Sequence, residues 1–166
     1  LVGRDLPGEA SPAWLTEEEE KVFEPLGRPG LAPREVLRRF QEIVNPYNVC
    51  LIKTEESLSC AMFYYRQAAE ELVPRMSASD PHYLYKLYEV RATALVTELY
   101  LRASLERRET RAGHYRADCP RRDDSLLGWI HLQKGKNGMG ASLIRVPLEQ
   151  YKHSITHYYS DNFRFN

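Results

Sequence analysis

The stretch PHYLYKLYEVRATALVTELYLRASLERR, residues 81–108, decides the fold. It predicts one long helix, because Asp80 suits the N-cap, Pro81 suits the first helical position, and no glycine or further proline follows before Arg108. A helix that is apolar on nearly every side is typical of the buried centre of a bundle. We therefore expect Leu95 to lie in the core and Leu95→Ala to cost ~2–5 kcal/mol. The apolar positions are Leu84, Leu87, Tyr88, Val90, Ala94, Leu95, Leu99, Leu101 and Leu105.

Two more helices are predicted before this one, at 33–45 and 55–75. Pro33 suits the first position of the earlier helix, and Thr54 suits the N-cap of the later one. Only residues 76–80 separate the second helix from the third, so these two should pack antiparallel. The residues Val49–Ile52 form an apolar run that predicts either a strand or an extended connector.

Short apolar runs at 126–133 and 141–146 predict a β-hairpin, because Asn137-Gly138 between them favours a tight turn. The expected fold is therefore mainly α, an antiparallel three-helix bundle of the spectrin-repeat type followed by a small β-hairpin. We expect four segments along the chain. They are an extended lead-in with one short helix at 1–32, a helical bundle domain at 33–125, the β-hairpin at 126–147 and an aromatic C-terminal tail at 148–166. The short helix is expected to begin at Thr16, because Thr16-Glu-Glu-Glu19 is a capping-box pattern.

The amino-acid composition limits the classes of function that fit this chain. The 166 residues are enough for one domain with a core, and 23 basic against 23 acidic residues do not favour a nucleic-acid binder. No apolar run is long enough to span a membrane, so we expect no direct membrane insertion. The three cysteines have no paired spacing, which favours buried thiols in a reducing cytoplasm. Because the sequence begins at Leu1, we expect a piece of a longer protein.

The sequence becomes mainly ionic after the long helix, at residues 109–124, ETRAGHYRADCPRRDD. This alternation of arginines and carboxylates fits a solvated surface, but it also allows bidentate pairs that hold irregular backbone or bind an anionic partner. We expect side chains to satisfy the backbone here, since no regular ladder follows the helix, and Gly113 to be the point where the chain turns. The expected ionic cluster comprises Glu109, Arg111, His114, Arg116 and Asp118.

Motifs for cofactors and metals are missing from the sequence. Neither a dinucleotide-binding glycine pattern nor a phosphate-binding loop occurs, and the glycines at 135–140 fit a turn better. His114 and Cys119 stand five apart without the paired spacing of zinc ligands. We therefore expect no cofactor and no metal in this chain.

The ionic stretch resembles a known pattern, Arg-x-Glu-Ser-Arg-Gly-x-His-x-Arg-x-Asp-x-Pro-x-x-Asp-Asp. That pattern marks the C-terminal helical domain of fumarate reductase and succinate dehydrogenase flavoproteins, whose relatives include L-aspartate oxidase and the adenylylsulfate reductase alpha subunit. Residues 107–124 match it, and the resemblance extends over roughly 33–147. The chain departs from it at Thr110, where the pattern has serine, and at Ala112-Gly113, where the order is reversed.

The resemblance implies a supporting part of an FAD-dependent oxidoreductase subunit that is not catalytic alone. FAD would lie in a separate flavin-binding domain of the same polypeptide. Further contacts would be made with an iron–sulfur subunit, and any membrane association would come through other subunits. It also implies that the ionic cluster faces the flavin-binding domain, which would leave some arginines unpaired here. The alternative is a free-standing helical protein-interaction module.

Overall fold

A computed structural model describes residues 12–135 and 138–150. The first eleven residues, Asn137 of the expected turn and the tail from residue 151 onwards lie outside the described residues.

The chain is mainly helical with a small antiparallel hairpin, as the sequence predicts. Short 3₁₀ turns at Val73–Arg75, Asp124–Leu126 and Leu148–Gln150 complete the described elements. In chain order the helices and strands are α1 (Pro12–Phe23), α2 (Pro33–Val44), α3 (Tyr47–Cys50), β1 (Ile52–Lys53), α4 (Glu55–Leu72), α5 (Pro81–Glu106), β2 (Tyr115–Arg116), β3 (Gly128–Gly135) and β4 (Gly138–Arg145).

The starts of the three long helices are confirmed, because their capping residues act as expected. The Asp80 carboxylate accepts a hydrogen bond from the Tyr83 amide at 3.0 Å at the start of α5. The Thr54 hydroxyl accepts one from the Ser57 amide at 3.1 Å at the start of α4. Pro33 occupies the first turn of α2. The contacts of Asp80 and Thr54 each satisfy an amide that the helix itself leaves without a partner.

Two local expectations near the N-terminal half need correction. We expected the first helix to begin at Thr16 with a capping box, but α1 begins at Pro12 and the Thr16 hydroxyl donates to the Pro12 carbonyl at 3.1 Å inside the helix. The run Val49–Ile52 is split between the end of α3 and the start of β1.

The chain divides into two compact units, Leu1–Pro46 with Cys60–Glu98, and Tyr47–Ser59 with Leu99–Asn166. In the described part of the first unit, α2, α4 and α5 supply the core. The rings of Phe40 and Tyr65 lie 5.1 Å apart, and the Tyr65 hydroxyl donates to the Ala94 carbonyl. The connection after α1 pairs with the one before α5, where the amide of Ala78 donates to the Pro25 carbonyl at 2.9 Å.

The second unit holds both pairs of strands. β1 and β2 are parallel, with Lys53 beside Arg116. β3 and β4 are antiparallel, with Trp129 opposite Ile144 and Gly135 opposite Gly138 at the last pair. The hairpin thus extends the predicted strands by two residues on one side and three on the other, to Gly135 and from Gly138.

The expectation that Leu95 is core is wrong, since 53% of it is exposed. Val90 and Thr97, seven residues apart, are buried on one face of α5. A residue two positions from Thr97 lies about 200° round the helix, so Leu95 faces the other way. The apolar residues of α5 are therefore not buried on every side of the helix in the described chain. The thiol of Cys60, expected to be buried, is also exposed.

Leu87 replaces Leu95 as the residue that tests the register of α5. Leu87 is fully buried, so Leu87→Ala should cost ~2–5 kcal/mol through lost burial and a residual cavity. The matched change Leu95→Ala should cost less than about 0.5 kcal/mol in this chain. Urea unfolding of the two variants gives both free energies, and equal losses would contradict this register.

Candidate functional site

Arg116 lies at the centre of the loop that follows α5 and is completely buried. Its Nε and Nη2 donate to the two carboxylate oxygens of Asp118, both at 2.8 Å. Its Nη1 donates to the Ser104 carbonyl at 2.9 Å, with the carbonyls of Leu105 and Arg107 at 3.4 Å. These carbonyls belong to the last turn of α5 and the residue after it, where the helix supplies no amide partners for them. Arg116 therefore caps the C-terminus of α5 with a positive charge, which the helix dipole favours.

Asp118 makes the complementary contact at the start of α4. One of its oxygens accepts a hydrogen bond from the Glu55 amide at 2.8 Å, in the first turn of that helix. The hydrogen bonds from Arg116 hold the pKa of Asp118 well below its usual range, although partial burial opposes them. A carboxylate at a helix N-terminus is favourable for the same dipole reason. The Arg116–Asp118 pair thus joins the end of α5 to the start of α4.

The short parallel pairing of β1 and β2 holds Arg116 in place. The Ala117 amide donates to the Lys53 carbonyl at 2.8 Å, next to the paired positions Lys53 and Arg116. Lys53 is itself buried, with its ammonium 5.9 Å from the centre of the Tyr100 ring. Burial lowers the pKa of Lys53, and the nearby charge of Arg116 lowers it further.

Glu109 forms a second ionic centre in the same loop and is also completely buried. It accepts hydrogen bonds from Arg107 at 2.5 Å, from Arg111 at 2.9 Å and from the Asp123 amide at 2.9 Å. Burial acts to raise the pKa of Glu109, but the bonds from Arg111, the Asp123 amide and Arg107 together leave it lower than usual. Three donors thus keep a buried carboxylate ionised.

Arg107 connects Glu109 to the start of the hairpin. Its guanidinium also donates to the carbonyls of Leu126 at 3.2 Å and Gly128 at 2.7 Å. Arg111 acts similarly, since its Nη2 donates to the Asp123 carbonyl at 3.0 Å. The two arginines therefore hold the backbone that leads into β3, and the Glu109 carboxylate holds the two arginines.

His114 lies in a tight turn between the two ionic centres. The backbones of Arg111 and His114 exchange hydrogen bonds at 2.9 and 3.0 Å. The Nε2 of His114 lies 3.1 Å from the Arg107 carbonyl, and since a carbonyl only accepts, Nε2 carries the proton. Burial lowers the pKa of His114, while the bond to Arg107 opposes that shift.

Gly113 lies in this turn, as expected, but it is not the residue with a positive φ. The residue in the left-handed region is Ala112, with φ of 50°. This is the position where the family pattern has glycine, so the reversed order leaves alanine in a conformation that glycine adopts without cost.

The structure brings all five predicted site residues together. Glu109 with Arg111 and Arg116 with Asp118 form two ion pairs, and His114 contacts the Arg107 carbonyl between them. The expectation that arginines would be left unpaired is not met for Arg111 or Arg116. Sequence reasoning missed Lys53, whose contact depends on a pairing between distant segments. It also missed Thr110, whose hydroxyl accepts from the Arg116 amide at 2.9 Å.

The described residues do not fit a flavin dinucleotide. A pyrophosphate site places a glycine-rich turn between a strand and a helix N-terminus, whereas Gly135, Gly138 and Gly140 lie on the strands of the hairpin. A groove between α2 and α4 has a volume of about 350 Å³, and its charged lining residues are Glu35, Arg39 and Glu71, whose net negative charge disfavours a pyrophosphate. We therefore assign no flavin contact to these residues.

Two further findings concern residues 12–135 and 138–150. No group of three or more His, Cys, Asp or Glu side chains there could hold a metal ion. None of the helices in this part of the chain combines the length and the apolar composition that crossing a membrane requires.

Ala112 gives a direct test of the turn. Ala112→Gly should raise the free energy of unfolding by about 0.5–1 kcal/mol, because the left-handed strain is removed. A Cβ on Gly113 would meet nothing within 4 Å, and Gly113 has no positive φ. Gly113→Ala should therefore also stabilise, by ~0.4–1 kcal/mol, through the unfolded chain. Thermal and urea unfolding measure both changes, and a destabilised Ala112→Gly variant would contradict the assigned backbone.

His114 should make stability depend on pH. Because its folded pKa is lowered below the unfolded value of about 6.5, the folded chain resists protonation. The stability it contributes is complete above that value and is lost as pH falls through it. His114→Gln keeps a donor for the Arg107 carbonyl but cannot titrate. Urea unfolding at about pH 7.5 and about pH 5.5 should show a smaller pH dependence for the variant than for the native chain. An identical dependence would contradict the burial of His114.

Comparison with known proteins gives the family. Residues 38–162 match the family described as "Fumarate reductase flavoprotein C-term". A search of curated protein sequences found no match. The matched range includes the whole ionic loop and the hairpin.

Solved structures share the fold. The Sdh1 complex of Mycobacterium smegmatis in the apo form matches with a TM-score of 0.68 and 19% identity, over 86% of this chain and 25% of that chain. The same complex with UQ1 gives a TM-score of 0.68 and 20% identity over the same shares. FrdA of E. coli quinol fumarate reductase gives a TM-score of 0.65 and 17% identity, over 84% of this chain and 26% of that one. The chain therefore spans about a quarter of the length of these chains, and it belongs to the family of fumarate reductase flavoprotein C-terminal domains.

Proposed function

We propose that the chain is the C-terminal supporting domain of an FAD-dependent oxidoreductase subunit of the fumarate reductase/succinate dehydrogenase type. The observation that carries this proposal is the family match over residues 38–162, which includes the ionic loop. FAD would be bound by a separate flavin-binding domain of the same polypeptide, and an iron–sulfur subunit would be a further partner.

A supporting role agrees with how the charged residues are used. The guanidinium of Arg116 and the carboxylate of Glu109 are buried and bonded within the chain, so neither can reach a substrate. Their contacts hold two helix ends and the entry to the hairpin, which are structural tasks. We therefore propose that this chain has no catalytic residue of its own.

The bundle arrangement is part of the same proposal. We infer that α2, α4 and α5 pack as an antiparallel three-helix bundle. The ring contact of Phe40 with Tyr65 supports it, as does the bond from Tyr65 to Ala94 and the short connection before α5. A cytoplasmic location is also proposed, and the thiols of Cys60 and Cys119, which form no disulfide in the described chain, support it.

The experiment compares the natural full-length polypeptide that contains these residues with the 166-residue chain. The full-length polypeptide should purify with about one FAD per chain, and the 166-residue chain should purify without it. A full-length polypeptide without flavin would overturn the proposed function. Stoichiometric flavin on the short chain would overturn the assignment of FAD to another domain.

Whether the five loop residues also contact another domain stays a prediction, which Arg111→Ala decides. Loss of its charged hydrogen bonds should cost ~1–3 kcal/mol in the short chain. A purely structural role gives the same loss in the full-length polypeptide, whereas an interface role gives a clearly larger one. Thermal unfolding of both proteins, with and without the substitution, distinguishes the two.

The alternative is a free-standing helical interaction module, and the exposed apolar side chains of α1 and α5 favour it. The coding sequence around these residues decides between the two. A dinucleotide-binding motif upstream in the same reading frame supports the flavoprotein, and a start codon beside Leu1 supports the module.

A further inference from the structure

The outer edge of β4, which faces away from β3, has no strand beside it within residues 12–135 and 138–150. The Val146 amide donates to the Leu127 carbonyl at 3.3 Å, just beyond the last pair of the hairpin. In an antiparallel pair, only every second residue exchanges backbone bonds with the partner strand. The residues between these positions turn their amides and carbonyls to the outer edge. They are Met139, Ala141, Leu143 and Arg145.

Two side-chain contacts agree with this direction. The Met139 carbonyl accepts a hydrogen bond from Nη1 of Arg102 at 3.3 Å, so it points away from β3. On β3, the Gly128 carbonyl points away from β4 and accepts from Arg107 at 2.7 Å. The rest of the β4 edge is unprotected, because the strand GMGASLIR contains no proline and one charged residue, at its end. Such an edge is a template for pairing with another extended segment.

The hairpin presents one half-buried face that ends at this edge. Ile130, Leu132 and Leu143 are half-buried there, whereas Ile144 on the opposite face is exposed. Ala141 belongs to the half-buried face but lies on the outer strand and is exposed. A two-stranded hairpin is marginal alone, and a third strand with apolar side chains on the face of Leu143 would stabilise it.

The sequence after Gln150 alternates with the period of a strand. It reads YKHSITHYY over residues 151–159. Alternation of this length is typical of a strand with one buried face, and isoleucine, threonine and tyrosine favour strands. The odd positions are aromatic, imidazole or aliphatic, and the even ones are polar apart from the last. The odd positions are Tyr151, His153, Ile155, His157 and Tyr159, and the even ones are Lys152, Ser154, Thr156 and Tyr158.

The connection between β4 and this segment fixes a register. It comprises the five residues 146–150, which end in the 3₁₀ turn Leu148–Gln150, and this length is common in hairpins. The odd positions then share the half-buried face with Leu143, and the polar positions face solvent. A shift by one residue would exchange the two sets. The pairs in this register are Arg145 with Tyr151, Leu143 with His153, and Ala141 with Ile155.

We propose that residues 151–156 bind the outer edge of β4 as an antiparallel third strand. The open backbone groups, the length of the connection and the alternation of the sequence all agree in one register. The segment is covalently attached next to the edge, so its effective concentration there is on the order of millimolar. A separate partner has no such advantage, and a second copy of the chain on this edge is an outcome that would refute the assignment. The pairing is independent of whether the chain supports a flavoprotein.

Pairs of cysteines in the natural full-length polypeptide test the register. Ser142 and Ser154 would lie opposite each other at a position without backbone bonds, where Cα atoms are about 4.5 Å apart and a disulfide fits. Ser142→Cys with Ser154→Cys should therefore form a disulfide on mild oxidation. The matched control combines Ser142→Cys with Ile155→Cys, whose side chains would lie on opposite faces of the sheet.

Mass spectrometry of tryptic peptides identifies the link, because peptides 137–145 and 153–164 carry the two positions. Non-reducing electrophoresis shows whether the link lies within one polypeptide. The expected result is a link within one polypeptide for the first variant and about tenfold less of it for the control. Equal linking in the two variants, no link in either, or a link between two polypeptides would overturn the proposal.

Hydrogen exchange gives a second readout that needs no cross-link. The register directs the His153 amide at the Leu143 carbonyl and the Ser154 amide at solvent. His153→Pro therefore removes a ladder bond, whereas Ser154→Pro lies where an edge strand tolerates proline. The amides of Ala141 and Leu143 should exchange about tenfold faster in His153→Pro than in the native polypeptide, and near the native rate in Ser154→Pro. The same rate in both variants, whether native or faster, contradicts the pairing.

Discussion

The ion pair between Arg116 and Asp118 is the interaction on which the second compact unit depends. Its guanidinium satisfies carbonyls at the end of α5, and its carboxylate satisfies an amide at the start of α4. Each charge thus meets the helix end whose dipole favours it. Because the guanidinium is buried, the pair must be bonded almost completely to offset the loss of hydration. It is, since both carboxylate oxygens and two arms of the guanidinium bind each other at 2.8 Å.

A second buried charge, that of Glu109, orders the segment that leads into the hairpin in the same way. No regular ladder runs through the loop between the end of α5 and the start of β3 apart from the two residues of β2. Glu109 orients Arg107 and Arg111, and these arginines bind the backbone carbonyls that lead into β3. The loop is therefore ordered by side chains, and its conformation depends on charges that no solvent can replace once they are buried. This explains how an arginine-rich segment can be structural rather than a solvated surface.

Local sequence signals were sufficient to predict where the long helices begin. Asp80, Thr54 and Pro33 predicted where the long helices begin, because capping depends on nearest neighbours in the chain. The five loop residues were predicted from the alternation of arginines and carboxylates after the helix, and their mutual bonds follow from short spacing. Contacts between distant segments were not predictable in this way. The parallel pairing of Lys53 with Arg116 joins residues far apart in sequence, and Lys53 gives no local sign of it.

The two clearest errors have physical causes. At the turn, Gly113 was expected to be the residue that lets the chain turn, but the left-handed residue is its neighbour Ala112, because the position in the loop and not the residue type sets the backbone there. For Leu95, apolar composition indicated burial but could not show which faces the described chain itself covers.

The central claim is that the Arg116–Asp118 pair couples the two helix ends, and a double-mutant cycle tests it most directly. Urea unfolding of the native chain, Arg116→Met, Asp118→Ala and the double variant gives the coupling free energy of the pair. The account predicts a coupling of about 3 kcal/mol, because Asp118→Ala leaves the buried Arg116 guanidinium without its carboxylate and Arg116→Met leaves Asp118 without its two-bond partner. A coupling below about 0.5 kcal/mol would contradict it, since that is the value of an ordinary exposed ion pair.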